Sequence, residues 1–196
     1  MSRKRVGVLI SGRGSNMAAL VAAARQPDYP AEIAGVISNR AAAPGLAFAA
    51  GHGIPTAALA QSAYPSRDAF EDAITRQLEA WNVDIVALAG FMRILGAPFV
   101  ARWQGRMINI HPSLLPAYRG LDTHARALAD GVAEHGCSVH FVTPGLDEGP
   151  VILQAAVPVL TGDTPESLAA RVLAEEHRLY PEALALLARD EVSLER

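Results

Sequence analysis

Apolar residues along this chain fall into short unbroken runs, each closed by glycine, proline or a polar cluster, with segments of helical period between them. Residues 6–10 form the first run, continuous enough to predict a strand buried on both faces. It stops at Ser11, Gly12, Arg13, Gly14, Ser15 and Asn16. Residues 17–25 then read as a short alanine-rich helix, with Ser15 or Asn16 as its N-cap. A second strand is predicted over 33–38, a short helix over 44–51 and an extended piece over 54–56. Ala69, Phe70, Ala73, Ile74, Gln77, Leu78 and Trp81 recur at helical spacing and predict a helix from Arg67 through Trp81, capped by Ser66. Residues 84–89 and 106–110 are two further buried strands, separated by a loop at 90–95 and a short helix at 98–103.

The pattern shifts after Gly120. Residues 122–130 read as a helix stopped by Gly131. Strands over 137–142 and 151–159 are joined by a turn-rich stretch, which predicts an antiparallel pair. Residues 161–165 form a turn with Pro165 in a first helical turn, and the helix 166–189 contains Pro181, which should kink it or end one segment. Strands alternating with helices, then an antiparallel pair, predict an α/β fold: a Rossmann-like, doubly wound, mostly parallel mixed sheet with helices on both faces. No repeat or linker interrupts the pattern, so a single domain over 1–196 is expected.

Bulk properties narrow the function classes. A hydrophobic content of 51% is ample for a core, and a net charge of −3, which no Lys/Arg cluster offsets, argues against nucleic-acid and membrane-surface partners. Cys137 is the single cysteine, so no intrachain disulfide can form, as suits a reducing compartment. The run 6–10 is too short for the core of a signal peptide, and no run approaches the ~20 apolar residues of a membrane span. A cytoplasmic protein is expected.

Two stretches carry chemistry. A strand, a Gly-rich turn and a helix make a phosphate site, because glycine lets the backbone approach an anion and the helix start offers free N–H groups. A dinucleotide site would want glycine at Met17 and an acid after the second strand, where Asn39 and Arg40 stand; a Walker loop would want a Lys-Ser/Thr pair. A monophosphate on the short GxGSN turn, Gly12–Asn16, fits better, a plain capped turn being the bland alternative. The other stretch is 107–120. Asn109 and His111 are two residues apart on a strand, so both side chains face one way, and Pro112 ends the strand there. An amide that can donate to an oxyanion thus adjoins an imidazole that can carry a proton, at the edge where α/β sheets bind ligands. The bland alternative is an Asn and a His satisfied by backbone. Arg93 in the loop 90–95 and Asp147 between the last two strands supply a cation and an acid, and an aspartate beside an imidazole favours its charged form. No serine sits in a G-x-S-x-G elbow, and Cys137 has no evident base. His135, Cys137 and His140 are close in sequence, but strand alternation turns His140 away from the other two, so no metal is expected.

The motifs ISGRGSNMAAL, LAGFMRIL, INIHPSLLPAYRG, HGCSVHFVTPGLDEGPVILQ and EEHRLYP follow one another in an order that resembles the phosphoribosylglycinamide formyltransferases of the formyltransferase family. That resemblance covers nearly the whole chain. It implies transfer of a formyl group from 10-formyltetrahydrofolate to the amino group of glycinamide ribonucleotide, without a metal. It implies that Asn109, His111 and Asp147 are catalytic, and that Gly14, Ser15, Asn16 and Glu176 bind the ribonucleotide. Arg67, Met92, Arg93, Ile94 and Leu95, with Asn109 and with Thr143, Pro144, Gly145, Leu146 and Asp147, match folate-side positions. It further implies a mononucleotide half over about 1–105 and a folate and catalytic half over about 106–196, a cis bond at Leu115–Pro116, and leaves a homodimer open. The chain departs from the family pattern in a 143–147 stretch richer in Pro and Gly and less acidic before Asp147, and at Asp122. Methionyl-tRNA formyltransferase and formyltetrahydrofolate deformylase share the HPSLLP region. The first would want an added domain and a basic surface, the second a regulatory domain and no GSN turn. A non-catalytic nucleotide or folate binding module is the rival from another class.

Overall fold

The computed structural model describes residues 2–194 and is organised on one seven-stranded sheet in the order β3-β2-β1-β4-β5-β6-β7. The strands are β1 (Lys4–Ile10), β2 (Ala31–Ser38), β3 (Thr56–Ala58), β4 (Ile85–Leu88), β5 (Met107–His111), β6 (Glu134–Phe141) and β7 (Val151–Pro158). The first five run parallel, while β6 is antiparallel to both β5 and β7. The helices are α1 (Ser15–Ala24), α2 (Pro44–Gly51), α3 (Arg67–Ala80), α4 (Ala97–Arg102), α5 (Thr123–Ala129) and α6 (Pro165–Ala188). The doubly wound, mixed sheet read from the sequence is therefore the fold.

Alternation along the strands sorts the core into two layers. Val6, Val8, Ile10, Ile85, Ala87, Ile108 and Val139 pack with Met17 and Leu20 of α1 and Leu168, Val172 and Leu184 of α6. Leu9, Val86, Leu88 and Met107 pack on the other side with Phe70, Ile74 and Leu78 of α3, Phe99 and Val100 of α4, and Trp103 just after α4. Each such side chain, wholly removed from water, contributes about 1.5–3 kcal/mol. Because β1 sends its chain to β2 on one side and β4 lies on the other, a crevice opens beyond the carboxyl ends of β1 and β4, and β5 ends beside it.

Several local expectations change. The α1 N-cap is Gly14, in left-handed conformation with φ 72°, not Ser15 or Asn16, which lie in the first turn. Asn16 instead donates its amide to Glu176 on α6. β6 begins at Glu134, and the extended piece near Thr56 is the edge strand β3. α6 runs unbroken through Pro181, because Leu179, Tyr180, Ala183 and Leu184 are buried around it and their packing outweighs one missing backbone bond. The Leu115–Pro116 bond is cis.

The start of α6 is secured by a capping box between Thr164 and Ser167 and by Asp163. Arg171 donates to the Asp163 carboxylate through two nitrogens, and the Leu160 amide and Ser167 hydroxyl add two further bonds. These donors, Arg171 first, hold the Asp163 carboxyl well below its usual range. A depressed folded-state pKa adds stability above the unfolded value of about 3.9, and that stability is lost as pH falls below it. Asp163→Asn is expected to be less stable than the parent at pH 7, with the difference shrinking below about pH 4 in urea titrations; a difference that does not change with pH would show that the charge is not the cause.

Candidate active site

The turn after β1 ties three strand ends together. The Ser11 hydroxyl donates to Asn39 Oδ1 at 2.6 Å and accepts the Met92 N–H at 2.8 Å, while the Ser11 N–H donates to Gly90 O. The ends of β1, β2 and β4 are thereby held at one place, with Ser15 exposed at the start of α1. Asn16 points across to α6, where its Nδ2 donates to Glu176 Oε2 at 2.7 Å. Glu176 is buried, and burial pushes its carboxyl pKa up despite the Asn16 bond. Gly14, Ser15, Asn16 and Glu176, far apart in sequence, thus share one corner of the crevice.

β5 delivers Asn109 and His111 to the neighbouring edge. His111 is buried, with Nε2 2.9 Å from Tyr118 O and Nδ1 3.4 Å from Asp147 Oδ2. A carbonyl accepts only, so Nε2 carries a proton. The Nδ1 separation is longer than an ordinary N–H···O bond, so Asp147 lies beside Nδ1 without taking up its hydrogen-bonding capacity. Asp147 also accepts the Gly120 N–H at 2.9 Å, and its own φ of 51° is left-handed, a conformation aspartate tolerates better than most residues.

His140 completes the cluster; strand alternation in the sequence gives only that it turns away from His135 and Cys137. That divergence holds: Cys137 lies in the core layer beneath α6, whereas His140 stands opposite Asn109 in the β5–β6 register. Its Nδ1 donates to Phe141 O at 2.9 Å, so Nε2 keeps a lone pair and accepts from Asn109 Nδ2 at 3.3 Å. Burial lowers the His140 pKa and keeps the ring neutral. The Asn109 amide is therefore turned with its nitrogen toward His140, leaving a second N–H to offer elsewhere. His140 Nε2 also lies 3.7 Å from Asp147 Oδ1. Under Asn109, the buried Tyr180 hydroxyl meets Leu88 O at 2.8 Å and Ile108 O at 3.2 Å and holds the ends of β4 and β5 in place. Neither His140 nor Tyr180 carries a local sequence signal, since both act through pairing between distant segments. His140→Ala is expected to lower turnover by roughly ten- to a hundredfold, as Asn109 loses the acceptor that orients it; unchanged turnover would remove His140 from this account.

The remaining predicted residues are distributed around this cluster. Met92, Ile94, Leu121 and Leu146 are four of the seven exposed large hydrophobic residues among the described residues, and they come from three loops at the carboxyl edge. Leu121 carries no sequence signal for this rim. Leu95 is buried in the core, and Arg93 is exposed without an ion pair among the described residues. Thr143, Pro144 and Gly145 lead into Leu146 and Asp147 on the loop between β6 and β7. Arg67 stands apart from His111 at the start of α3, its Nε 3.9 Å from Glu71. Asp122 is the N-cap of α5 in left-handed conformation, without a side-chain cap bond. A cavity of about 420 Å³ lies between α3 and α4, lined by Asp68, Glu71, Asp72 and Arg102 among others, and is separate from the His111 cluster. Among the described residues no group of three or more His, Cys, Asp or Glu side chains is arranged to hold a metal ion, and no helix is long and apolar enough to cross a membrane.

Comparison with known proteins places these features in context. Residues 4–184 match the family model described as formyl transferase. The phosphoribosylglycinamide formyltransferase of Escherichia coli K12 is 49% identical over 181 residues, which cover 92% of this chain and 85% of that protein. The human trifunctional purine biosynthetic protein adenosine-3 is 50% identical over 192 residues, but the chain spans only 19% of that protein's length. Among solved structures, glycinamide ribonucleotide transformylase 1 from Symbiobacterium toebii superposes with a TM-score of 0.93 at 52% identity, covering 96% of this chain and 89% of that one. Phosphoribosylglycinamide formyltransferase from Brucella melitensis gives 0.92 at 54% identity, covering 95% and 96%.

Proposed function

This chain belongs to the formyl transferase family, and on that basis we propose that it transfers the formyl group of 10-formyltetrahydrofolate to the amino group of 5-phosphoribosylglycinamide, a step of purine biosynthesis. The observation that carries this reading is the pairing of Asn109 with His140 and of His111 with Asp147 beside a glycine turn joined to Glu176. The first group of contacts suits acyl-type transfer, and the second suits a phosphorylated amine.

In this reading the phosphate rests on the turn at Gly14, Ser15 and Asn16, and Glu176 accepts hydrogen bonds from the ribonucleotide. The apolar rim of Met92, Ile94 and Leu146, with Leu95 beneath it and Thr143, Pro144 and Gly145 beside it, takes the flat folate, and Arg67 and Arg93 serve its anionic end. The two halves interleave, since Glu176 serves the ribonucleotide and Met92 the folate. The amine nitrogen attacks the formyl carbon, and the carbonyl oxygen gains negative charge. Asn109 donates its second N–H to that oxygen. His111, when protonated, donates from Nδ1 to the same oxygen, gives that proton to the folate nitrogen as it leaves, and is restored by the proton the amine loses. The bond from the formyl carbon to the folate nitrogen then breaks, and that nitrogen receives the proton. The chain needs no covalent intermediate and no metal for this sequence of steps.

The test is formyl transfer to glycinamide ribonucleotide, with methionyl-tRNA and water offered as competing acceptors. Transfer to the ribonucleotide alone is expected. Transfer to methionyl-tRNA or hydrolysis in its place would assign the chain to another branch of the family, and folate binding without turnover would make it a binding module.

A further inference from the structure

The reaction just described makes no use of Glu71, although its side chain is only 5% exposed in the middle of a helix. A buried carboxylate is costly unless its oxygens are matched by donors. Oε1 accepts the Gly96 N–H at 2.8 Å, and the Arg67 guanidinium lies 3.9 Å away, one helical turn back on α3. The Gly96 backbone comes close to both groups: a Cβ there would stand 2.9 Å from Glu71 Oε2 and 3.4 Å from Arg67 Nε and Nη2. The carboxylate, the guanidinium and the loop backbone therefore meet at one place.

Gly96 closes the segment that begins at Met92, and Met92 is fixed at the other end by the Ser11 hydroxyl. Between the two pins, Leu95 is buried against the core while Met92, Arg93 and Ile94 project outward. Burial raises the Glu71 carboxyl pKa, and the Gly96 amide and then Arg67 pull it back. One carboxylate thus joins two features that sequence places far apart, the loop 92–95 and Arg67.

We propose that Glu71 is a positioning residue for the formyl-donor side of the site, its carboxylate fixing the Gly96 end of the loop 92–95 and the Arg67 guanidinium in a single arrangement. This rests on the folate reading of that loop given above. Glu71 touches neither substrate in this account; it acts by keeping the loop in its binding geometry before the donor arrives. If loss of the carboxylate leaves about one loop in ten in that geometry, donor affinity falls about tenfold, while events at Asn109 and His111 proceed as before.

The test compares the parent chain with Glu71→Ala and Glu71→Gln, by steady-state kinetics, by calorimetric binding of tetrahydrofolate, and by hydrogen exchange at the Gly96 amide. In Glu71→Ala, the KM for the donor and the Kd for tetrahydrofolate are expected to rise about tenfold, with kcat and the ribonucleotide KM within about twofold of the parent. The Gly96 amide should exchange faster. Glu71→Gln keeps an oxygen for Gly96 but loses the charge facing Arg67, so its effect should be smaller and in the same direction. Tetrahydrofolate binding that is unchanged in both variants overturns the proposal while leaving the reaction intact. An equal rise in both KM values, or a fall in kcat alone, overturns it by showing a general structural role. No tetrahydrofolate binding by the parent chain overturns the folate reading itself, and the proposal with it.

Discussion

Formyl transfer is expected to fall on the order of 10²–10³-fold in either Asn109→Ala or His111→Ala, the loss typical of removing one donor to a developing oxyanion. The geometry explains why water should not restore it. Asn109 is held by His140 Nε2 from one side, and its remaining N–H is aimed by that contact. A water in the gap left by alanine would have the donors but not the orientation, and a preorganised donor is worth more than one that must be ordered during the reaction. His111→Ala also strands Asp147, whose Oδ2 would keep only the Gly120 N–H. The variant then holds a poorly matched carboxylate near the reacting centre. The two residues act on one oxygen, so the double variant should be little worse than the poorer single one. The measurement is kcat at saturating concentrations of both substrates, with thermal denaturation to establish that the variants are folded. Near-parental kcat in His111→Ala would remove it from the mechanism, and purely additive losses would separate the roles of the two side chains.

The parts of this site that could be read from the sequence are those set by local pattern. The apolar runs ending at Ile10 and Ile110 mark where β1 and β5 deliver their loops, and the two-residue spacing of Asn109 and His111 fixes their common face. The helix from Arg67 is legible because its apolar positions repeat at the right period, but Glu71 on that helix gives no sign of being buried, since its partner Gly96 lies on another element. His140 is the same kind of case. Alternation gives its direction relative to Cys137, yet only the register that sets it opposite Asn109 shows what it meets. Ser11 reads as part of a turn, and its bonds to Asn39 and Met92 depend on the strand order β2-β1-β4. Pro181 misleads in the opposite sense: a strong local rule is overridden by the burial of its neighbours in α6.

Gly149→Ala is expected to lower kcat by about a hundredfold although residue 149 touches no catalytic group. Asp147 reaches His111 from a loop whose neck is closed by the Phe141 N–H donating to Pro150 O at 2.9 Å. Gly149 lies in that neck, where a Cβ would stand 1.7 Å from the Phe141 carbonyl oxygen, a backbone atom that cannot swing away. An alanine must spread the neck, and Asp147, two residues earlier, moves with it. Displacing a catalytic group by about 1 Å can cost on the order of 10²-fold in rate. The 3.4 Å and 3.7 Å separations from Asp147 to His111 and His140 leave little slack for such a shift. The corner formed by Asn16 and Glu176 lies on α1 and α6, so the KM for the ribonucleotide should stay near its parental value. Glu148→Ala provides the control within the same loop. It removes the pair with Arg119, whose side chains are 42% and 54% exposed for Arg119 and Glu148, and exposed pairs contribute roughly 0–1 kcal/mol. Its kcat should therefore stay close to parental. If Gly149→Ala is fully active, Asp147 is not held by the neck of the loop; if Glu148→Ala loses as much as Gly149→Ala, the ion pair to Arg119 and not the glycine is what keeps the aspartate against His111.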